Sequence, residues 1–136
     1  MQSVRRPVKL IPPIAIVAFM LSAFAGPAQW VEVGPGAWRP QTTDLVAAEV
    51  ALRPAVKAAA KNRGPLPPWP TYIFQYQGRR TLLGKRYIYV NAFCDGEAHH
   101  ELKVWVEVMD GGACYFRGKY DTEEHRLYDL LVNGVA

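Results

Sequence analysis

The sequence predicts an α+β domain in which one helix packs on a four- to five-stranded antiparallel sheet. Three observations indicate this class. Apolar residues recur at helical spacing between residues 42 and 62, the pattern changes to a period of two from residue 71 onward, and turn-forming residues separate the alternating runs. A helix followed by consecutive strands is typical of a domain whose sheet wraps the helix, as in cystatin-like folds.

Residues 1–25 have the features of a signal peptide. A basic start precedes an uncharged apolar run that ends on the small-x-small pattern cut by signal peptidase: Arg5, Arg6, Lys9, residues 14–24 and Ala23-Phe24-Ala25. An uncleaved membrane anchor is the alternative. The run is interrupted by prolines and is short against the roughly 17–25 apolar residues that a span requires. We therefore predict cleavage before Gly26 and a periplasmic or secreted protein.

Charge and composition exclude two classes of function after cleavage. The chain has 16 basic and 12 acidic residues, and three of the basic ones lie in the signal, which leaves 13 against 12 and a net charge of +1. A nearly neutral domain is a poor nucleic-acid binder, so we expect no nucleic-acid partner. The serines, Ser3 and Ser22, both lie in the signal, so a serine hydrolase is excluded.

Three segments precede the predicted sheet. Residues 26–41 are rich in proline and glycine and are predicted to be an irregular or extended lead-in to a single domain over residues 42–136. A helix should follow, capped by Thr42 or Thr43, and Pro54 should kink it or divide it into two short helices. The proline-rich stretch at 64–70 is predicted to be a stiff spacer rather than a ligand for an aromatic groove.

The helix and the strands have assignable residues. The helical stripe comprises Leu45, Leu52, Val56 and Ala59. The alternating runs predict strands at 72–76, 86–93, 102–109, 114–121 and 126–133. Turns are predicted at 78–85, at a hairpin formed by Asp110-Gly111-Gly112, and at 122–125.

Alternation divides the predicted sheet into two faces. The aliphatic face should cover the helix and comprises Ile88, Val90, Ala92, Val104, Val106 and Val108. The opposite face would present Tyr87, Tyr89, Asn91, Trp105, Glu107, Tyr115, Arg117 and Lys119. Trp105 should lie beside Arg117 and near Tyr89. Aromatic residues and arginine are enriched at protein interfaces, so the candidate binding surface is Tyr87, Tyr89, Trp105, Tyr115 and Arg117. The alternative is that the lead-in tryptophans or a second subunit cover this face.

The two cysteines, Cys94 and Cys114, are a candidate disulfide because an exported protein lies in an oxidising compartment. In a plain meander, the strand at 102–109 would separate them by ~20 Å at ~3.3 Å per residue. A disulfide requires Cα atoms about 4.4–6.8 Å apart. Either the bond is absent, or residues 95–101 cross the sheet and bring both cysteines to the same end.

A metal site is the alternative for this stretch, with His99, His100 and Cys94 as ligands. Adjacent histidines on a strand point to opposite faces, so the simpler interpretation is a polar loop with solvated histidines. A cysteine–histidine hydrolase would need a thiolate beside a histidine, and the sequence contains no oxyanion-hole motif to accompany them. We expect no cofactor and no catalytic residue.

The runs Tyr87-x-Tyr89-x-Asn91-Ala92-Phe93-Cys94 and Asp110-Gly111-Gly112-x-Cys114-Tyr115-Phe116, with the closing Val132-Asn133-Gly134-x-Ala136, form one further pattern. The chain resembles a group of small exported bacterial proteins of unknown function that share it. The resemblance covers about residues 72–136. It implies export, a β-rich fold and pairing of the cysteines, and it implies no catalytic or binding residue.

These observations favour an exported, non-catalytic binding module, such as an inhibitor or immunity-type protein of the envelope. Its expected partner is another envelope protein, and contact with the membrane is expected only through the signal segment before cleavage. The alternative is an envelope metal-binding protein that uses His99, His100 and the cysteines. The sequence does not specify the oligomeric state.

Overall fold

Among the residues that the structure describes, one α-helix and five strands form the domain. The computed structural model describes residue 3 and residues 29–135, so the predicted signal lies outside the described residues apart from Ser3. The elements are β1 (Gln29–Glu32), α1 (Thr42–Ala59), β2 (Ile73–Arg80), β3 (Arg86–Phe93), β4 (Tyr115–Asp121) and β5 (Arg126–Val132). The strands form one sheet in the order β1-β2-β3-β4-β5, in which β1 is parallel to β2 and all other pairs are antiparallel.

The α+β class is therefore confirmed, with two corrections to its elements. The predicted strand at 102–109 is wrong, because that segment forms no strand and β3 pairs directly with β4. The fifth strand is instead β1, which lies within the lead-in and makes the sheet mixed rather than purely antiparallel. The cystatin-like form of the fold stays a prediction.

Helix α1 begins and continues differently from the prediction. Its N-cap is Gln41, whose backbone N–H donates to the carboxylate of Asp44 over 2.8 Å. The helix runs through Pro54 without dividing. Proline leaves the carbonyl of Val50 without a helical donor. Val50 is 69% exposed and Pro54 is also exposed, so water can replace the missing bond and the predicted break is wrong.

The core lies between α1 and one face of the sheet. The helix buries Leu45, Ala48, Leu52 and Val56, whereas Ala59, predicted on the same stripe, is exposed. The sheet supplies Phe74, Ile88, Val90, Ala92, Phe116, Tyr120 and Val132. The predicted inward direction of Ile88, Val90 and Ala92 is confirmed, because all three are buried in this cluster. Burial of such side chains contributes roughly 1.5–3 kcal/mol each for the larger ones.

The proline-rich segment ends in the core. Trp69 is buried, stacks on Phe116 with ring centroids 5.8 Å apart, and donates its indole N–H to Glu49 of α1 over 3.0 Å. Tyr72 is fully buried, and its hydroxyl donates to the carbonyl of Ala113. Burial raises the pKa of Tyr72 to about 12, so the hydroxyl remains a donor at neutral pH. The segment thus ties the helix to the start of β4.

The lead-in crosses β2 by close backbone contact. Trp38 forms an isolated bridge with Gly78, and its indole N–H donates to the carbonyl of Arg79 over 2.9 Å. A Cβ on Gly78 would lie 2.1 Å from the carbonyl oxygen of Trp38, and one on Gly36 would lie 2.1 Å from the carbonyl oxygen of Gly78. Only glycine fits at either position, so these two glycines allow the lead-in to lie against the sheet.

The last strand contains an irregularity. The register between β4 and β5 shifts between Arg117 and Lys119, and Asp129 of β5 has a left-handed φ of 50°. This is a β-bulge, in which one extra residue on β5 opposes the partner strand. The Lys119 ammonium lies 3.1 Å from the Asp129 carboxylate, which raises the pKa of Lys119 and holds the bulge against β4.

Candidate functional site

A disulfide joins the ends of a loop that crosses the second face of the sheet. Cys94 directly follows β3 and Cys114 directly precedes β4, and their Cα atoms are 5.0 Å apart. Because β3 and β4 are antiparallel neighbours, the end of one strand and the start of the next meet at the same edge. The predicted disulfide is confirmed. We call residues 95–113 the crossing loop.

The crossing loop explains why the meander geometry was wrong. The meander required 102–109 to be inserted between the two cysteine-bearing strands. The backbone N–H of Cys94 instead donates to the carbonyl of Cys114 over 3.0 Å, continuing the β3–β4 ladder. Asp110-Gly111-Gly112 does not form a hairpin between strands. Gly111 and Gly112 have φ of 89° and 62°, and this left-handed backbone returns the chain to the start of β4.

Side-chain amides of the sheet hold the crossing loop in place. The carboxamide Nε2 of Gln75 donates to the carbonyls of Leu102 (3.0 Å) and Val104 (2.6 Å), and its Oε1 accepts from the backbone N–H of Val106 over 2.9 Å. The amide of Asn91 donates to the carbonyl of Val106 over 2.7 Å. The carboxamide of Gln75 therefore both donates to and accepts from the backbone of the crossing loop, as a peptide group of a neighbouring strand would.

A third amide extends this row. Asn133 Nδ2, just beyond β5, donates to the carbonyls of Val108 (2.6 Å) and Asp110 (2.8 Å). Together the three side chains donate to every second carbonyl from residue 102 to residue 110. A period of two in carbonyl direction is that of an extended chain.

The valines of the crossing loop do not cover the helix. Val106 is buried, but it lies against the face of Gln75 and Asn91, opposite to the helix. Val104 is 59% exposed, and Val108 is half-buried. The predicted inward aliphatic face is therefore wrong for Val104, Val106 and Val108. Their segment lies on top of the sheet instead of within it.

A cation stacks on two aromatic rings at the centre of the second face. The Arg79 guanidinium lies 4.1 Å from the ring centroid of Tyr89 and 5.4 Å from that of Trp105. Trp105 contacts Tyr89 edge to face at 5.1 Å, as predicted. The predicted cationic neighbour of Trp105 was Arg117, whereas the cation over its ring is Arg79. Arg117 lines a small cavity of about 20 Å³ together with Trp105.

A second cation lies between two further rings on the same face. The Lys119 ammonium is 5.7 Å from the ring centroid of Tyr87 and 5.8 Å from that of Tyr128. Register explains the grouping, because Lys119 pairs with Tyr128 on β5 and with Tyr89 on β3, and Tyr87 is the next residue of β3 on the same face as Tyr89. We call the following set the cation–aromatic face: Arg79, Tyr87, Tyr89, Trp105, Arg117, Lys119 and Tyr128.

Tyr115 belongs to a separate cluster beneath the crossing loop. Its hydroxyl donates to the carboxylate of Asp95, and the other oxygen of that carboxylate lies 3.2 Å from His99 Nε2. Burial, followed by the Asp95 contact, raises the pKa of Tyr115. His99 also packs edge to face on Phe93 at 5.0 Å. Tyr115 thus anchors the crossing loop from below, and its hydroxyl is already engaged within the chain.

The ligands predicted for a metal do not come together. Cys94 is in the disulfide and has no thiolate to donate, and His99 is engaged by Asp95 and Tyr115. His100 is exposed. Within residues 29–135, no group of three or more histidine, cysteine, aspartate or glutamate residues is placed to hold a metal ion.

Sequence reasoning missed four residues on this side of the sheet: Gln75 and Asn133, which hold the crossing loop, and Arg79 and Tyr128 of the cation–aromatic face. The signal for two of them was present, because the alternation that directs Phe74 inward directs Gln75 and Arg79 outward. Tyr128 carried the same signal in the last strand, but the bulge at Asp129 shifts its register. Asn133 lies beyond β5, where alternation makes no prediction.

Comparison of the chain with protein-family models, with curated proteins and with solved structures finds no match. Among the described residues, none of the helices combines the length and the apolar character needed to span a bilayer.

Proposed function

We propose that this chain is an exported, non-catalytic binding module, periplasmic or secreted, that holds another envelope protein through its cation–aromatic face. An inhibitor or immunity-type role suits such a module, because binding through this face would cover a surface of the partner and requires no chemical step. The observation that carries the proposal is the stack of Arg79 on Tyr89 and Trp105. Arginine and aromatic side chains are the residue types that dominate binding energy at protein interfaces.

The stack supports binding because its side chains are already ordered. Ordering a flexible side chain on association costs about 0.5–1.5 kcal/mol. Arg79 is held by both rings and by a 2.9 Å hydrogen bond from its Nε to Gln77 Oε1, so much of that cost is met before a partner arrives. The half-buried tyrosine and tryptophan rings keep part of their surface open to a partner.

The charges on the face indicate the chemistry of the partner. Neither Arg79 nor Arg117 has a carboxylate within 4.0 Å in the described part of the chain, whereas Lys119 is paired with Asp129. Arg117 is exposed. Two guanidinium groups without counter-charges favour a partner that presents carboxylates to this face.

The test is capture of partners from periplasmic extract by the immobilised protein, compared across single variants. We expect Trp105→Ala and Arg117→Ala each to reduce the captured amount of a given partner at least tenfold, since a contact worth about 1.4 kcal/mol changes affinity by that factor. Arg126→Ala is the matched control, because Arg126 is an exposed arginine at the start of β5 and lies outside the face. Equal capture by the wild type and all three variants would overturn the proposal.

A further inference from the structure

The extended part of the crossing loop lies above the sheet with one row of its backbone hydrogen-bonding groups facing the sheet. The carbonyls of Val104, Val106 and Val108 all turn toward the sheet amides, as does the N–H of Val106. In an extended chain, the backbone groups of successive residues point in opposite directions. The N–H and C=O groups of Trp105 and Glu107 therefore turn away from the sheet.

These outward groups have no hydrogen-bond partner in the described part of the chain. Across residues 29–135, the backbone N–H and C=O of Trp105 and Glu107 accept and donate no hydrogen bond. Glu107 is exposed and Trp105 is half-buried, so this stretch lies at the surface of the molecule. Two residues at i and i+2 with all four backbone groups directed to one side form the edge of a β-strand.

The edge is also held rigid. The disulfide closes the loop at its base, and five side-chain amide contacts fix every second carbonyl along it. An edge that is extended before binding loses little conformational entropy when a second chain pairs with it.

We propose that the outward edge of residues 104–108 is a strand-addition site, at which an extended segment of an acidic partner protein pairs with the backbone of Trp105 and Glu107. This inference rests on the proposed function and names how the partner binds. Arg117 lines one cavity with Trp105 and Glu107 and lacks a carboxylate partner in the described chain, so it selects a segment that carries an aspartate or glutamate. Backbone pairing supplies affinity, and the cation–aromatic face supplies selectivity.

The test separates backbone from side-chain recognition at one residue. Glu107→Pro removes an outward N–H and leaves the inward groups of Val106 and Val108 untouched, whereas Glu107→Ala removes only the side chain. The probes are twelve-residue peptides selected from a displayed random library on the wild-type protein. We expect the selected peptides to carry an acidic residue and to bind Glu107→Pro at least tenfold more weakly than Glu107→Ala.

A second measurement needs no variant. Saturating the wild-type protein with a selected peptide should slow amide hydrogen exchange at Trp105 and Glu107 at least tenfold, and leave Val106, already bonded to Gln75, unchanged. Unchanged exchange at Trp105 and Glu107 overturns the strand-addition site. A concentration-dependent dimer of the wild type that is lost in Glu107→Pro also overturns it, because the edge would then pair with a second copy.

The outcomes also separate this inference from the proposed function. Peptides that lose binding to Trp105→Ala or Arg117→Ala but bind Glu107→Pro and Glu107→Ala equally would leave the face as the binding surface and remove the strand edge. Failure to select any peptide, or equal binding by all four variants, would count against both.

Discussion

A single buried carboxamide organises the second face of the sheet. Gln75 is fully buried, and its side chain takes part in hydrogen bonds to two carbonyls, one backbone N–H and the amide of Asn91. A buried amide without partners is unfavourable by roughly 1–3 kcal/mol, so this side chain is compatible with its site only while the crossing loop stays in place. Gln75 therefore couples the position of the loop to the stability of the sheet.

Replacing Gln75 tests that coupling. Gln75→Leu has similar volume but leaves the N–H of Val106 without an acceptor and the carbonyl of Val104 without a donor. We expect the free energy of unfolding to fall by about 3 kcal/mol, measured by urea denaturation.

Gln77→Leu is the matched control for this substitution. Its Nε2 donates to the carbonyl of Val33 and its Oε1 accepts from the Nε of Arg79, each over 2.9 Å, but it makes no contact with the crossing loop. Because the residue is only half-buried, we expect a loss of about 1 kcal/mol. Equal losses in the two variants would show that Gln75 does not support the crossing loop.

At the scale of elements, the crossing loop joins β3 to β4 and packs as an additional layer. Its two ends are fixed by the disulfide, and its middle is fixed by side-chain amides. A closed loop of this size restricts the unfolded chain and stabilises the fold by on the order of 3 kcal/mol.

Removing the disulfide should allow the crossing loop to open more readily than the helix core. For the double variant Cys94→Ala/Cys114→Ala, we expect the free energy of unfolding to fall by about 3 kcal/mol. Amide exchange at Val106 should become faster than at Leu52, which lies in the core of α1. Wild-type protein reduced by a phosphine serves as the control and should behave like the double variant. A change in stability below about 0.5 kcal/mol would contradict a restraining role for the bond.

The crossing loop also shows how far the sequence predicts the elements. Helix α1, strands β3, β4 and β5 and the turn at 122–125 were predicted close to their observed bounds, because local alternation and turn residues determine them. The segment 102–109 has the same alternation, but it forms no strand: residues 102–103 form a turn, and only the part around residues 105–108 runs extended across the sheet. Alternation does not distinguish a strand within a sheet from an extended segment lying across one, because that choice depends on Gln75, Asn91 and Asn133, which are distant in sequence.

The candidate site was predictable only in part for the same reason. Tyr89 and Trp105 were placed together correctly, since both lie on outward positions of alternating runs. The cation over Trp105 was assigned to Arg117 because the predicted hairpin set the wrong register. Arg79 contacts Trp105 only because the loop crosses the sheet and reaches β2.

At the scale of the whole molecule, the sheet separates two unlike layers. One side is a dry aromatic and aliphatic core under α1, and the other is an amide-rich layer under the crossing loop. The disulfide in the second layer is compatible with folding in an oxidising compartment, which the predicted signal at residues 1–25 would provide.

The mature N-terminus tests that prediction directly. When the full chain is produced through a secretory pathway, we expect an intact mass equal to residues 26–136 less two hydrogens for the disulfide. Ala25→Tyr should block cleavage by placing a large side chain at the small position of the recognition pattern. Gln29→Tyr, beyond the cut, is the control and should be cleaved normally. A wild-type mass that retains residues 1–25 would contradict the signal.

The bulge at Asp129 limits how copies of this molecule can associate. A neighbouring chain that approached the free side of β5 would meet a backbone whose spacing is broken in mid-strand by a left-handed residue. Stacking of molecules side by side into fibres is thereby discouraged at the β5 edge. The domain can thus present an unpaired backbone above the sheet while its β5 edge resists pairing with a second copy.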